Sequence, residues 1–279
     1  MTFTSIVIAT YNGIEWTRRC VDSVIRHTSE PYEFVFVDNG SSDGTQQYLE
    51  EIPGATVIRN ESNRGFAAAC NQGMTAASGT HIVLLNNDTI VTPAWLKTLL
   101  ACMDRDPSIG IVGPVSNNVA PIQRVHAPVT PATLDPFAEQ WRMIHANAGF
   151  YAHRLIGYCM LFRRELLDAI GGMDERFFPG NYEDDDFSIR ARISGKRLWV
   201  ARDAFIYHEG SGTFKANGLE SRIQSVRNAE KFRAKWSIAA SPFEIDQLGY
   251  NPSDVVSREP FFMPDRHYIP LANEKKASD

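Results

Sequence analysis

Cysteine is scarce in this chain, and neither sign of charge dominates it. The four cysteines, Cys20, Cys70, Cys102 and Cys159, stand far apart and form no CxxC pair. Each lies in an apolar context, which reads as a reduced core residue of a cytosolic protein. A formal net charge of −5 argues against nucleic-acid binding by bulk electrostatics. No apolar run approaches the roughly 20 residues that cross a bilayer. The opening Met1–Ile8 lacks a basic segment followed by a long apolar one, so it reads as a first strand and not as a signal peptide. Any membrane contact is therefore expected to be peripheral, at the inner face. There is no internal repeat.

What is present is an alternation. Apolar residues make up 43% of 279 residues, enough for one large α/β domain with a C-terminal extension. Strands are expected at Phe3–Ala9, Glu33–Val37, Ala55–Arg59, His81–Leu85 and Ile109–Val115. Helices are expected at Ile14–His27, Asp43–Glu51, Gly65–Ala77 and Ala94–Met103, the last with Thr92 as cap and Pro93 at its first position. This order predicts a Rossmann-like, mostly parallel sheet flanked by helices. Residues 116–150 lose the pattern and read as a long loop. Beyond them, strands are expected at Leu155–Phe162, Arg197–Val200 and Ala204–Tyr207, and helices at Arg163–Ile170 and from Glu183 to about Ser194. A final helix, Leu219–Trp236, is expected to bury Leu219, Ile223, Val226 and Trp236. The tail after Ser241 shows no periodicity.

In open sheets of this kind, ligands gather beyond the carboxyl ends of the strands. Thr10-Tyr11-Asn12, Asp38-Asn39-Gly40 and Asn86-Asn87-Asp88 all fall there and should share one crevice. Asp38 could accept the imide N–H of uracil or thymine, and Thr10, Tyr11 and Asn12 could wall the nucleoside. Asp43 reads as a helix cap. Asn63-Arg64-Gly65, leading into a helix that carries Asn71, suits a diphosphate. Asp88 offers a carboxylate to a hard divalent cation, which prefers oxygen donors and keeps waters. Glu183-Asp184-Asp185-Asp186 opens a helix. The macrodipole favours one or two of these acids, but four together repel one another unless something compensates. A general base is the functional reading. His208 sits at a strand end before a Gly/Ser loop and is a candidate metal ligand. Arg227, Lys231 and Lys235 read as a solvated helix face.

Carboxylates from two such places suit a divalent metal on a diphosphate together with deprotonation of a hydroxyl. That combination points to glycosyl transfer from a nucleotide-sugar. A nucleotidyltransferase would need a glycine-rich basic loop after the first strand, and Thr10–Ile14 is neither. A non-catalytic nucleotide-sugar binder would need no base.

Taken together, Ser5–Asn12, Val37–Thr45, Asn63–Phe66, Leu85–Asp88, Glu183–Phe187 and His208 resemble the inverting family 2 glycosyltransferases of the GT-A fold. The resemblance spans roughly residues 3–215, which suggests a catalytic domain over 1–215 and an extension over 216–279. It implies that Asp38 reads the nucleobase (UDP or dTDP). Asp88 would be the metal carboxylate for Mg²⁺ or Mn²⁺, with His208 as a further ligand. Asp184 would be the base, with Glu183, Asp185 and Asp186 as acceptor-site or alternative base groups. Asn86 stands where the family's metal motif has its first Asp, so Asn86 and Asn87 are assigned to the donor. The QxxRW motif of processive synthases is absent, which suits addition of a single sugar. The subgroup looks like the rhamnosyltransferase-like enzymes of bacterial surface polysaccharides, and the acceptor is a hydroxyl-bearing glycan, lipid-linked sugar or small molecule.

Overall fold

The computed structural model describes residues 2–210 and 218–271. The expected alternation is present from the first strand. β1 (Thr4–Thr10), β2 (Tyr32–Asp38), β3 (Thr56–Arg59) and β4 (His81–Leu85) alternate with α1 (Ile14–His27), α2 (Thr45–Glu50) and α3 (Phe66–Ala76). After β4 a short β5 (Thr89–Ile90) precedes α4 (Trp95–Arg105) and β6 (Ile109–Val115). Along β1, Ile6 and Ile8 face the layer of α1 and α4, while Val7 faces the layer of α3. That is the two-residue period of a strand buried on both sides.

Small residues let α3 approach the sheet closely. A Cβ on Gly73 would lie 2.3 Å from Val7 Cγ1, so only glycine fits there. The expected start of α4 is displaced. Its cap is Ala94, in the left-handed region at φ 63°, and Thr92 contributes only its carbonyl, to the N–H of Trp95. Asp43 does act as a cap, but mainly for α1: its Oδ2 accepts the N–H groups of Gly13 and Ile14.

Residues 116–150 are not a plain loop. They contain α5 (Leu134–Ile144) and lead into β7 (Gly149–Ala152). Leu134 and Ala138 are buried, and Phe137 and Trp141 pack beside Phe205. This is a helical spacing that reading by composition missed. The expected strand at 155–162 is shorter and later, β8 (Cys159–Arg163). It is followed by α6 (Arg164–Ile170) and α7 (Glu183–Ile193), and the two expected short strands are one, β9 (Arg197–Phe205).

The main sheet has the order β3-β2-β1-β4-β8-β6-β9-β7. β8 pairs antiparallel with both β4 and β6, and β7 pairs antiparallel with β9; the other strands run together. A second, two-stranded sheet joins β5 to β10 (Tyr207–His208).

The last helices pack on α7. They are α8 (Gly218–Trp236), α9 (Pro242–Leu248), α10 (Pro252–Arg258) and α11 (Pro264–His267). The buried face of α8 is Ala229, Phe232 and Trp236. Ile223 is exposed, against expectation, and the side chain of Leu219 lies outside the described residues. Nor is the basic row simply solvated. Lys231 and Arg227 are exposed, but Lys231 Nζ donates to the Arg176 carbonyl, and Lys235 pairs with Asp174 and Asp186. The tail is helical because each piece has its own start signal. Ser241 and Glu244 form a reciprocal capping box, and Asn251 caps the next helix. The Gly/Ser loop expected after His208 falls largely outside the described residues. All four cysteines are free and buried.

Candidate active site

The carboxyl ends of β1 and β4 and the start of β8 open on one cavity of about 860 Å³. Thr10, Tyr11, Asn63, Asn86, Asn87, Asp88, Glu183, Asp184, Asp185 and His208 all line it. Asn39 lines it too, a residue quoted in the sequence motif but not assigned a role.

Asp88 and His208 meet because β5 pairs with β10. Thr89 is the register partner of His208, which sets the imidazole beside the preceding carboxylate. Nε2 of His208 lies 3.1 Å from Oδ1 of Asp88. Nδ1 lies 2.8 Å from the Asn118 carbonyl, so the proton on that nitrogen is donated there. The ring stacks on Tyr158 at 5.3 Å and 22°. Burial alone would lower the pKa of His208, but the Asp88 hydrogen bond and charge, with Asn118 and Glu209, raise it overall. With Nδ1–H committed to a carbonyl, a neutral imidazole turns a lone pair toward the Asp88 oxygen. Two lone pairs at that distance need a proton or a cation between them. A metal-ligating histidine donates its other N–H in this way. Nearby, Asn86 Oδ1 is buried without a partner. This donor set fits a divalent cation that takes its remaining ligands from phosphate and water, although no cluster of three acidic, His or Cys ligands occurs among the described residues.

The acidic run separates into different roles. It opens α7 immediately after Asn181 and Tyr182, both left-handed at φ 80° and 77°, a conformation that costs free energy in residues other than glycine. Asp184 Oδ2 accepts the N–H of Gly157 at 2.8 Å, and Oδ1 accepts that of Asp185. Burial raises its pKa above the ordinary range against those hydrogen bonds and Arg154. Glu183 is pushed well up, by burial and then by Asp184, and its Oε2 is buried without a partner. Asp185 is pushed up to about 6 by burial, with Arg154 opposing. Arg154 Nη1 reaches Asp185 at 3.2 Å, and the Tyr250 hydroxyl donates to it at 2.9 Å.

Asp186 does not belong with the other three. It is fully buried and turned away from the cavity, accepting hydrogen bonds from Arg190 Nε at 2.8 Å and Trp236 Nε1 at 3.0 Å. It anchors α7 to α8 and is excluded as an alternative base.

Several expected donor contacts are also spent within the fold. Asn71 is a clamp, exchanging hydrogen bonds with the Met173 N–H and carbonyl. Asn12 Oδ1 accepts the Ser42 N–H. Arg64 is exposed and does not line the cavity. The first N–H of α3, at Phe66, is donated to the Pro179 carbonyl, so it is not open to a diphosphate. Gly65 is held at φ 86° with Phe178 against it. Asp38 lies behind the wall. Its Oδ1 accepts the Thr10 hydroxyl at 3.3 Å and its Oδ2 the Ser41 N–H at 3.2 Å. Asn87 donates to Thr17.

A mostly parallel sheet with an inserted reversed strand, flanked by helices and opening on this cavity, is the GT-A fold of glycosyltransferases. The chain belongs to glycosyl transferase family 2, whose family model matches residues 5–171. The acidic run lies beyond the matched stretch. GalNAc-T7, solved with UDP, GalNAc and Mn²⁺, superposes with a TM-score of 0.61 at 18% identity, over 100% of this chain and 58% of its own. The mannosyltransferase PcManGT from Pyrobaculum calidifontis, solved with GDP-Man and Mn²⁺, gives 0.61 at 18% identity, over 98% of this chain and 78% of its own. In sequence, the chain is similar to an N-acetylglucosaminyl-diphospho-decaprenol L-rhamnosyltransferase of Mycobacterium tuberculosis, 26% identical over 75% of this chain and 76% of the relative. It is 23% identical, over 93% of its length, to an uncharacterised protein of Sinorhizobium fredii, of which it spans 30%. It spans 35% of an uncharacterised glycosyltransferase of Haemophilus influenzae. No described helix is long and apolar enough to cross a membrane.

Proposed function

We propose that this chain transfers one sugar from a nucleoside-diphosphate sugar to an acceptor hydroxyl, with inversion at the anomeric carbon. The observation that carries the reading is that Asp184 shares one cavity with the Asp88–His208 pair. The nucleoside end lies toward Thr10, Tyr11 and the Asp38 behind them. Asp88 and His208 would hold a Mg²⁺ or Mn²⁺ ion, which supplies positive charge at the leaving diphosphate when bound. Similar structures solved with Mn²⁺ and UDP or GDP-Man support this choice of ligand.

Asp184 takes the proton of the acceptor hydroxyl, and that oxygen displaces the nucleoside diphosphate from the opposite face of the sugar. One displacement needs one base. The raised pKa of Glu183 keeps its charge from accumulating beside Asp184. UDP or dTDP is the expected nucleotide, and a bacterial surface glycan or glycoconjugate, made in the cytoplasm or at the inner membrane face, is the expected product. The relative named as a rhamnosyltransferase supports that setting.

The test is Asp184→Asn. Transfer should fall by about 10²–10⁴, while nucleoside-diphosphate binding with Mn²⁺, measured by calorimetry, stays within about twofold. Unchanged transfer would remove Asp184 from the chemistry.

A further inference from the structure

The cavity is strongly asymmetric in charge. Asp88, Glu183, Asp184 and Asp185 line it, and Arg154 is the sole Arg or Lys on its wall among the described residues. Arg154 is held firmly. Its Nη1 donates to both oxygens of Asp185, at 3.2 and 3.4 Å, and its guanidinium lies over the Tyr250 ring at 5.8 Å. Tyr250 in turn ties itself to Asp185 through its hydroxyl. A guanidinium has five N–H donors. Here Nε and Nη2 donate to no protein atom among the described residues, on a side chain only 25% exposed. Neutralising Asp185 therefore uses only part of its capacity. Donors left over in a partly desolvated wall mark a place that an anion completes.

The location narrows which anion. Asp184 is anchored on Gly157, in the same turn that carries Arg154, and its charge is felt at Arg154. Beside these carboxylates, Ile122, Ile156 and Ile245 add apolar surface to the wall. The leaving diphosphate has its own assigned place at Asp88 and His208.

We propose that Arg154 binds an oxyanion carried by the acceptor, a phosphate or a carboxylate, close to the hydroxyl that Asp184 deprotonates. The proposal rests on reading Asp184 as the base. It assigns the acceptor to anionic glycans or sugar phosphates and gives Arg154 the role of a specificity-determining residue.

The experiment titrates the full chain, in EDTA, with glucose, glucose 6-phosphate and glucuronate. It follows the ¹⁵N-edited Arg Nε–H resonance that Arg154→Lys removes, with calorimetry in parallel. The anionic sugars should shift that resonance saturably and glucose should not. A response to phosphate alone or to carboxylate alone supports the proposal and names the group. Arg154→Gln should weaken the anion by about tenfold or more, as loss of a charge-assisted hydrogen bond implies. Should Arg154→Gln fold poorly with Asp185 left unpaired, Arg154→Gln/Asp185→Asn restores the balance and should lose the anion equally. Equal responses to glucose and its anions, or anion affinity unchanged in both variants, would overturn the assignment. Because the readout is acceptor-side binding without metal, it is separable from the Asp184→Asn activity test. Unchanged transfer in Asp184→Asn would remove the base assignment, while anion binding at Arg154 would still stand or fall on this titration.

Discussion

The Asp184 carboxylate accepts the backbone N–H of Gly157 at 2.8 Å, and a Cβ on Gly157 would stand 3.2 Å from Asp184 Cβ. The turn before β8 thus holds the proposed base from the side, and a methyl group on Gly157 would oblige Asp184 to give way by a few tenths of an ångström. Gly157→Ala should lower kcat by about tenfold or more through misplacement of the carboxylate, with the melting temperature little changed. The kinetics and a thermal melt on the same sample check it. An unchanged kcat would mean that Asp184 tolerates the shift.

Asp88→Asn and His208→Ala should each weaken Mn²⁺ binding in the presence of a nucleoside diphosphate by about 10- to 100-fold, measured by calorimetry. EDTA should abolish transfer, and added Mn²⁺ or Mg²⁺ should restore it. Activity that survives chelation would remove the cation from the reading.

Lys235 bridges Asp174 and Asp186, both buried. Removing it leaves Asp174 to Arg176 and Asp186 to Arg190 and Trp236, and Lys235→Met should cost about 1.5–3 kcal/mol, the usual loss when one charged partner of a hydrogen-bonded network is removed. Chemical denaturation measures this directly, and a loss below about 1 kcal/mol would contradict it.

Asp174 has its own pH signature. Burial alone would raise its pKa, but the Arg176 hydrogen bonds and Lys235 outweigh it and hold the group far below the ordinary carboxylate range. A depressed folded pKa means stability that is fully present above the unfolded value of about 3.9 and is lost as pH falls through the folded one. Asp174→Asn should therefore narrow the stability gap to wild type as the solution is acidified below about pH 4. Melts from pH 7 to pH 2 test the trend, and a gap that widens in acid would refute it.

Asn71→Ala should destabilise the fold by about 2 kcal/mol, since it breaks both bonds to Met173 and leaves buried groups unpaired. Affinity for the nucleoside diphosphate should not change. A selective loss of nucleotide binding at full stability would return Asn71 to the donor site.

Much of the fold was legible because strands buried on both faces announce themselves as apolar runs. His81–Leu85 and Ile109–Val115 were read with their observed ends. The helix Leu134–Ile144 hides behind Pro131 and Asp135-Pro136, which look like loop, although Leu134, Ala138 and Trp141 keep helical spacing. The tail helices follow the same lesson, since Ser241-Pro242 is a start signal as well as a break. At the site, strand-end position identified Thr10, Asn86 and Asp88 as cavity residues. It could not distinguish Asp186 from Asp184, because only packing against Arg190 and Trp236 decides which acid turns inward. Arg154 carried no motif. Its significance depends on the company it keeps across the fold, with Asp185 and Tyr250.

The reversed course of β8 has a lasting effect on how this enzyme could diversify. On the roles proposed above, the segment entering that strand carries both the residue that grips the incoming molecule and the amide that aims the proton acceptor. Selectivity and reactivity are thereby welded into a single short turn. On that reading, retargeting through Arg154 would also touch the turn that holds Asp184, whereas Ile245 and Ile122 line the same cavity from separate segments.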